Sequence, residues 1–137
     1  MRITKKLINE LSYKIVGCAI EVHNILGPGL LESIYEECLY EELKSQGLFP
    51  LRQVPVPVYF KGKKVKDNLR VDLLVNDLII VELKAVNDMH PVFKAKLLTY
   101  MKLAEKPKGL IINFNVLKIT DNLIPMVNEI FANLPDE

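Results

Sequence analysis

The sequence predicts a mixed α/β (α+β) fold in which helices flank a four-stranded mixed sheet. Apolar residues recur at three- and four-residue steps over residues 5–23 and 31–43, which is the spacing of core-facing amphipathic helices. Two apolar runs over residues 71–75 and 78–84 are separated by a short polar break and predict a β-hairpin. A buried strand at residues 110–114 follows after a helix-length connection, which suits a parallel partner. The predicted order is therefore α-α-β-β-β-α-β plus a C-terminal helix.

Length and composition predict one globular domain over residues 1–137. Half of the residues are apolar and 26% are charged, which is typical of a chain that folds around a core. The formal net charge is only +1, so any nucleic-acid binding requires a local basic patch. No basic segment followed by an apolar run opens the chain, and no stretch approaches a membrane span. We therefore expect a cytoplasmic protein in which Cys18 and Cys38, which lack metal-ligand spacing, are reduced core residues.

Two helices are expected at the start of the chain. Thr4 is placed to cap the first, which runs to about His23. Gly27-Pro28-Gly29 must end it, because proline removes a backbone donor and glycine permits unusual φ. The second helix is expected from about Leu30 to Gly47. Its predicted apolar stripe is Leu31, Ile34, Tyr35, Cys38, Leu39 and Leu43, and its predicted solvent-facing side is Glu36, Glu37, Glu41 and Glu42.

Glu32 and Tyr35 lie three residues apart on the second helix and are therefore neighbours. The residues alone leave two interpretations open. Glu32 is either a helix-start carboxylate that interacts favourably with the helix dipole or a functional acid. Tyr35 is either ordinary core or part of the same site.

The first strand is predicted over residues 54–60, where Pro55 and Pro57 favour an edge position. The turn that follows contains the densest basic stretch of the chain: Lys61, Lys63 and Lys64, with Lys66 and Arg70 nearby. This stretch is interpreted either as a solvated hairpin tip or as a surface that contacts phosphates.

Three charged residues interrupt the apolar runs of the central hairpin: Asp72, Glu82 and Lys84. Because burial of an unpaired charge is costly, an ion pair or a metal site is expected there. A two-residue turn would leave Glu82 on the face away from Asp72, whereas a three-residue loop over residues 76–78 or a β-bulge sets Asp72 opposite Glu82. We predict the second register. Leu74 and Ile80 then lie beside the charges, and the opposite face consists of Val71, Leu73, Ile79, Val81 and Leu83.

Pro91 suits the first turn of a third helix that runs to about Leu103. Lys96 and Tyr100 are four residues apart and share one side of this helix. The tail over residues 121–133 is predicted to be a last helix, with Pro125 in its first turn. The predicted inward residues of the two helices are Val92, Ala95, Leu98, Thr99 and Leu103, and then Ile124, Val127, Ile130 and Phe131.

This order of elements, with Asp72 and the Glu82-x-Lys84 pair on the second and third strands, resembles the PD-(D/E)XK nuclease superfamily. Residues 29–35, which read GLLESIY, are similar to the motif that gives the GxxExxY protein family its name. Residues 81–86, 97–100 and 109–114 resemble later blocks of that family. The resemblance covers nearly the whole chain up to Phe114 and implies a restriction-endonuclease-like core.

The resemblance implies a Mg²⁺-dependent nuclease that hydrolyses phosphodiester bonds of DNA or RNA, with Mn²⁺ as an alternative metal. Asp72 and Glu82 would bind the metal, with the Leu83 carbonyl as a third oxygen and Glu32 as a further ligand. Lys84 would orient or activate the attacking water, or stabilise charge on the phosphoryl group. The implied catalytic residues are thus Lys84, Glu32, Asp72 and Glu82.

Four residues are expected to support this site: Tyr35, Lys96, Tyr100 and His23. Related nucleases often carry glutamine where this chain has Lys96, which would meet a phosphate, or pair with Glu32 or Glu82 and compete with the metal. His23 is expected to make a helix-terminal hydrogen bond. Phosphate contacts are expected from Lys61, Lys63, Lys64 and Lys94.

Two alternatives stay open. Lys84, Arg70 or Lys96 could neutralise Asp72 and Glu82 in a purely structural ion-pair network. The chain could also be a non-catalytic nuclease-fold module that acts through a homodimer or a protein partner, which the near-neutral charge and Lys96 favour. Metal binding discriminates between an enzyme and such a module.

Overall fold

The computed structural model describes residues 2–66 and 68–137. Its helices are α1 (Lys5–Leu26), α2 (Glu32–Ser45), α3 (Val92–Ala104) and the short α4 (Glu129–Ala132). Its strands are β1 (Pro50–Val56), β2 (Tyr59–Phe60), β3 (Lys63–Lys64), β4 (Leu69–Val75), β5 (Ile79–Lys84), β6 (Lys108–Asn113) and β7 (Leu123–Val127). No helix in the described ranges has the length and apolarity that crossing a bilayer requires.

The predicted mixed α/β fold is confirmed, but its sheet has five strands rather than four. The strand order is β1-β4-β5-β6-β7, in which β5 and β6 are parallel and every other neighbouring pair is antiparallel. The parallel pair is the one that the long crossover through α3 predicts. Strands β2 and β3 form a separate two-stranded hairpin between β1 and β4.

The prediction of a last helix over residues 121–133 was wrong. A 3₁₀ turn (Ile119–Asn122) leads into strand β7, and only α4 is helical. Pro125 lies in β7, the edge strand beside β6, where a residue without a backbone N–H is tolerated. The spacing of apolar residues in this tail is compatible with a helix or a strand. The strand forms because it can pair with β6 at the edge of the sheet.

The first two helices begin and end close to their predicted limits. The Thr4 hydroxyl accepts from the Leu7 N–H at 3.0 Å, and α1 ends at Gly27, whose φ of 71° suits glycine. The predicted faces of α2 need correction. Leu31 and Ile34 are exposed, whereas Glu36, which was expected to face solvent, is buried. Both cysteines are free thiols, with Cys18 buried and Cys38 half-buried.

The inward face predicted for α3 was also wrong. Val92 and Leu98 are exposed, and the fully buried side chains of this helix are Leu97 and Met101. Leu97 packs so closely on the sheet that a Cβ added at Gly109 would stand 2.7 Å from its Cδ1. The helix is therefore rotated relative to the prediction, because a glycine of β6 gives Leu97 the room to approach.

The predicted register of the central hairpin is confirmed. Leu73 pairs with Val81 and Val75 with Ile79, which leaves a three-residue loop over 76–78. Residues 76 and 77 of this loop are Asn and Asp, with φ of 53° and 57°, values these two types tolerate. Continuing the register by one residue sets Asp72 opposite Glu82.

The two faces of the sheet carry separate hydrophobic clusters. One includes Leu73, Ile79, Val81 and Leu83 and packs under α1 and α2, and the other includes Leu74, Ile80 and Ile111 and packs under α3. Val71 was expected beside Leu73 but belongs to the second cluster. Strand β4 thus changes face between Val71 and Leu73, where neighbouring Gln53 has a φ of 49°.

The strand predicted over residues 54–60 is divided in two. Strand β1 ends at Val56, and β2 belongs to the small hairpin, in which Phe60 is exposed. Of the turn predicted at residues 61–64, residues 61 and 62 form the tip of this hairpin, and Lys63–Lys64 is strand β3.

Candidate functional site

The two carboxylates of the central hairpin replace backbone pairing where β4 and β5 separate. The Asp72 N–H donates to Glu82 Oε1 at 3.1 Å, and the Leu83 N–H donates to Asp72 Oδ2 at 2.9 Å. Each acid therefore satisfies a backbone donor of the facing strand, which would otherwise be left unpaired. The predicted convergence of Asp72 and Glu82 is present in this geometry.

The carboxylates of the site stand outside the ion pairs of the described residues, although the charge of Lys84 acts on Glu32 and Glu82. Within residues 2–66 and 68–137, Glu32, Asp72 and Glu82 form no ion pair with a lysine, arginine or histidine. The structural ion-pair network considered from the sequence is therefore absent from the described residues. The site holds acidic groups whose charge the described side chains do not compensate by direct contact.

In the described ranges, none of the three cations of that alternative forms an ion pair with Asp72 or Glu82. The Arg70 Nη1 donates to the Gln53 carbonyl at 3.1 Å, and the Lys84 Nζ lies 4.4 Å from the centre of the Phe93 ring. Lys96 is exposed and lines the same small cavity as Lys84. Lys84 is thus held near the carboxylates by a cation–π contact rather than by an ion pair.

The electrostatics of the site reflect this lack of compensation. Burial raises the pKa of Glu82 to about 8, and the neighbouring charge of Asp72 adds to the effect. Partial burial raises the pKa of Glu32, with further increases from Asp72 and Glu36, whereas Lys84 opposes the shift. The pKa of Tyr100 is raised by burial and by the charges of Glu82 and Asp72. The side chains of Glu32, Asp72, Glu82 and Tyr100, which lie on four different elements, therefore interact electrostatically.

A fourth acid, Glu36, lies beside Glu32, Asp72 and Glu82, and it was not predicted from the sequence as part of the site. Glu36 accepts from Arg52 Nε at 3.2 Å and Nη2 at 3.1 Å, and from Gln53 Nε2 at 2.7 Å. The same Gln53 amide donates weakly to Asp72 Oδ1 at 3.4 Å. Glu32 and Glu36 are four residues apart on α2, and that spacing was the available signal.

Tyr35 fixes the chain that leads into α2. Its hydroxyl donates to the Gly27 carbonyl at 2.6 Å and accepts from the Leu30 N–H at 3.1 Å. Its ring stacks on Phe114 with centroids 4.6 Å apart, and the Phe114 N–H donates to the Lys84 carbonyl at 2.9 Å. Tyr35 therefore links the start of the Glu32 helix to the end of the Lys84 strand.

His23 is joined to the same region without reaching the carboxylates by hydrogen bond. Its Nε2 is 2.8 Å from the Val116 carbonyl oxygen, and its ring is 6.4 Å from that of Phe114. His23 was expected to bond within its own helix terminus, whereas this hydrogen bond ties the end of α1 to the loop after β6.

The α3 wall of the site encloses a small cavity of about 50 Å³. Its lining residues are Glu82, Lys84, Phe93, Lys96, Leu97, Tyr100 and Ile111. Lys96 and Tyr100 therefore share one side of α3, as their spacing predicts. Lys94 is exposed on the same helix but does not line this cavity.

The sequence profile of the PD-(D/E)XK nuclease superfamily matches residues 9–125, which is well over half of the chain. This chain belongs to the PD-(D/E)XK nuclease superfamily. The mixed five-stranded sheet with flanking helices is consistent with the restriction-endonuclease-like fold of that superfamily. The finer resemblance to the GxxExxY family stays a prediction. Neither the curated proteins nor the solved structures contain a match to this chain.

The residues that this superfamily implies as metal ligands were tested against the donor atoms present. In the described ranges, no three acidic, histidine or cysteine side chains stand close enough to form a ready-made metal site. The carboxyl groups of Asp72 and Glu82 lie within hydrogen-bond reach of each other, however, and from the nitrogen donors of those ranges Asp72 Oδ1 accepts only the weak hydrogen bond of Gln53. Such hard oxygen donors suit Mg²⁺ or Mn²⁺. The donor set therefore fits a divalent cation.

The lysines predicted to contact nucleic acid lie outside the carboxylate cluster. Lys61, Lys63 and Lys64 are exposed on the β2–β3 hairpin. This hairpin leaves β1 at Val56 and rejoins the sheet at Leu69, which pairs with Val56. It therefore projects from the end of β4 opposite the 76–78 loop, which is the end toward which β4 and β5 separate.

Proposed function

We propose that this member of the superfamily is a divalent-metal-dependent nuclease that hydrolyses phosphodiester bonds of DNA or RNA. The observation that carries the proposal is the uncompensated pair Asp72 and Glu82 at the point where β4 and β5 separate. A desolvated carboxylate pair without a cation is unfavourable in itself, and a divalent ion relieves that cost. If Asp72 and Glu82 served only to stabilise the fold, a lysine or arginine of the chain would be expected to pair with them.

Asp72 and Glu82 would hold the metal, Mg²⁺ or Mn²⁺, and Glu32 would add a further oxygen from the start of α2. The Leu83 N–H is directed at Asp72, and the N–H and C=O of one strand residue point to the same neighbouring strand. The Leu83 carbonyl is therefore suited to serve as a third ligand. The bound ion would polarise a phosphoryl oxygen and lower the pKa of a water.

Lys84 would position the attacking water or stabilise negative charge on the phosphoryl group. Its ammonium is held beside Phe93 and points into the cavity shared with Glu82, so it is available to a substrate. Lys96 would contact a phosphate, because it forms no ion pair with Glu32 or Glu82 in the described ranges. Lys94 and the hairpin lysines would supply further phosphate contacts.

A second function is a non-catalytic module that acts through a partner protein or a dimer. The observation that favours it is an apolar groove of about 880 Å³ between α1, α2 and β1, remote from the carboxylates. Phe49 and Leu51 line this groove and are 75% and 59% exposed. Exposed apolar surface of this kind is typical of sites that bind a partner protein.

Cleavage assays separate these two functions. Plasmid, single-stranded DNA and RNA are incubated with the protein in Mg²⁺ or Mn²⁺, and we expect cleavage that Lys84→Ala lowers by about 10²–10⁴-fold while metal binding remains. Lys102→Ala, which removes an exposed lysine of α3 outside the site, is the matched control and should cleave normally. Retained cleavage by both Lys84→Ala and Glu82→Ala would refute the assignment.

A further inference from the structure

The β2–β3 hairpin presents two aromatic rings to solvent. Tyr59 and Phe60 are 59% and 67% exposed, although aromatic side chains of this size ordinarily bury most of their surface. Phe60 pairs with Lys63 and Tyr59 with Lys64 across the hairpin, so each ring has a lysine on its own face. The Lys61 Nζ lies 5.5 Å from the centre of the Phe60 ring. Both faces of the hairpin therefore combine a flat apolar surface with positive charge.

The charge of this segment has one sign. Residues 57–66 contain four lysines and no acidic residue, whereas the whole chain carries a net charge of only +1. A local concentration of cations beside exposed rings complements a polyanion that also carries flat apolar groups. Nucleic acid has this chemistry, since phosphates alternate with planar bases.

The hairpin holds its rings in a defined arrangement. Lys61 and Gly62 at its tip have φ of 49° and 79°, as the mirror-image two-residue turn requires. The Val65 N–H donates to the Val58 carbonyl at 2.7 Å, which extends the pairing beyond the two short strands. Consecutive strand residues point to opposite faces, so Tyr59 and Phe60 stand on opposite sides of a short ribbon.

The hairpin also lies toward the carboxylate end of the sheet. It projects from the paired residues Val56 and Leu69, whereas the loop over residues 76–78 is at the other end of β4. Asp72 follows Leu69 by three residues, which is about 10 Å along a strand. Stacked nucleotides are spaced by about 3.4 Å, so only a few nucleotides separate a base bound at the hairpin root from the carboxylates.

We propose that the β2–β3 hairpin binds unpaired bases of single-stranded nucleic acid, which stack on Tyr59 and Phe60 while the hairpin lysines contact the phosphates. The inference rests on the proposed nuclease function, because it names the substrate class of that site. Bases inside a duplex stack on one another and offer no free face to a side chain. The hairpin therefore favours single strands over duplex.

Binding measurements in chelator test this inference independently of cleavage. The full chain is titrated into a labelled single-stranded oligonucleotide, its duplex, and an abasic strand of the same length, which carries the phosphates without the bases. We expect tighter binding of the single strand than of the other two. Tyr59→Ala and Phe60→Ala should each weaken single-strand binding by about fivefold or more, as loss of one stacked base predicts, without changing abasic binding.

Matched variants exclude general effects on the fold. Tyr59→Phe and Phe60→Tyr keep the rings and should bind as the wild type does, and Phe49→Ala removes an equally exposed ring at the far groove and should leave binding unchanged. Lys63→Ala should weaken the binding of all three ligands and lower its salt dependence.

Equal binding of normal and abasic strands, or binding to anionic phospholipid vesicles instead of any strand, would overturn the inference. Stacking-dependent binding without cleavage in metal would support the hairpin proposal and refute the nuclease.

Discussion

Two acids near the same end of the sheet, Glu36 and Glu82, have opposite surroundings. Glu36 is only 7% exposed, but Arg52 supplies two hydrogen bonds and an ion pair, and Gln53 supplies a third hydrogen bond. Glu82 is also largely desolvated, yet it faces Asp72 and pairs with no cation of the described residues. The fold thus provides a cation for the acid that holds the structure together and provides none for the acid at the proposed site.

The difference teaches that burial alone does not identify a functional carboxylate. Both acids are largely buried, and they differ in whether a cation of the described residues pairs with them. A buried acid without a cation partner lowers the stability of the folded protein. Such an acid is expected where an external ligand supplies the missing charge. The predictions below alter one side of this comparison at a time.

Glu82→Gln should stabilise the metal-free protein at alkaline pH. The folded-state pKa of Glu82 is raised from 4.5 to about 8, so the folded protein binds this proton more tightly than the unfolded chain does. Stability from this group is therefore full below about pH 4.5 and is lost as the pH rises through about 8. Urea unfolding of wild type and variant should differ by at most about 5 kcal/mol near pH 9 and little near pH 4, since one pKa unit is about 1.4 kcal/mol.

The exposed Glu37 supplies a control for this experiment, because Glu37→Gln removes a charge without relieving a desolvated acid. The two variants should diverge as the pH rises. Parallel pH profiles for wild type and Glu82→Gln would show that Glu82 is not destabilised by its surroundings.

Arg52→Ala should act in the opposite direction, because it leaves Glu36 buried without its cation. A fully buried pair loses about 3–5 kcal/mol when one partner is removed, and the partly exposed Arg52 should therefore cost about 2 kcal/mol of unfolding free energy. Arg70→Ala, which removes an exposed arginine whose guanidinium donates to the Gln53 carbonyl, should cost clearly less. Adding Glu36→Gln to Arg52→Ala should recover part of the loss, and failure to do so would mean that Arg52 acts through packing.

Tyr35→Phe should have the smallest effect on stability. The change leaves the ring on Phe114 but removes the hydroxyl that bonds the Gly27 carbonyl and the Leu30 N–H, at about 1 kcal/mol in all. Tyr13→Phe removes the hydroxyl of an exposed tyrosine and should be neutral in thermal unfolding. Equal melting temperatures for Tyr35→Phe and wild type would show that the loop before α2 does not depend on this hydroxyl.

The parts of the site that depend only on neighbouring residues in the sequence could be predicted. The three-residue loop and the facing positions of Asp72 and Glu82 follow from the period of two along a strand. The rotation of α3 did not follow, because it depends on Gly109 of a distant strand admitting Leu97. The Glu36–Arg52 pair was missed for the same reason, since it joins a helix to an edge strand whose register the sequence does not specify.

The tail illustrates a competition that sequence patterns do not resolve. Ile124 and Val127 suit either a helix face or a strand, and Pro125 is tolerated at a helix start or on a sheet edge. Pairing with β6 decided between them, because it satisfies the backbone groups of a strand that would otherwise be the edge.

Asp72 and Glu82, which form no ion pair in the described residues, are proposed to bind a divalent cation. The most direct measurement is calorimetric titration of Mg²⁺ and Mn²⁺ into the wild type, Asp72→Asn and Glu37→Gln. We predict binding to the wild type and to Glu37→Gln, and its loss in Asp72→Asn. Absence of binding to the wild type at millimolar metal, or equal binding by Asp72→Asn, would contradict the account.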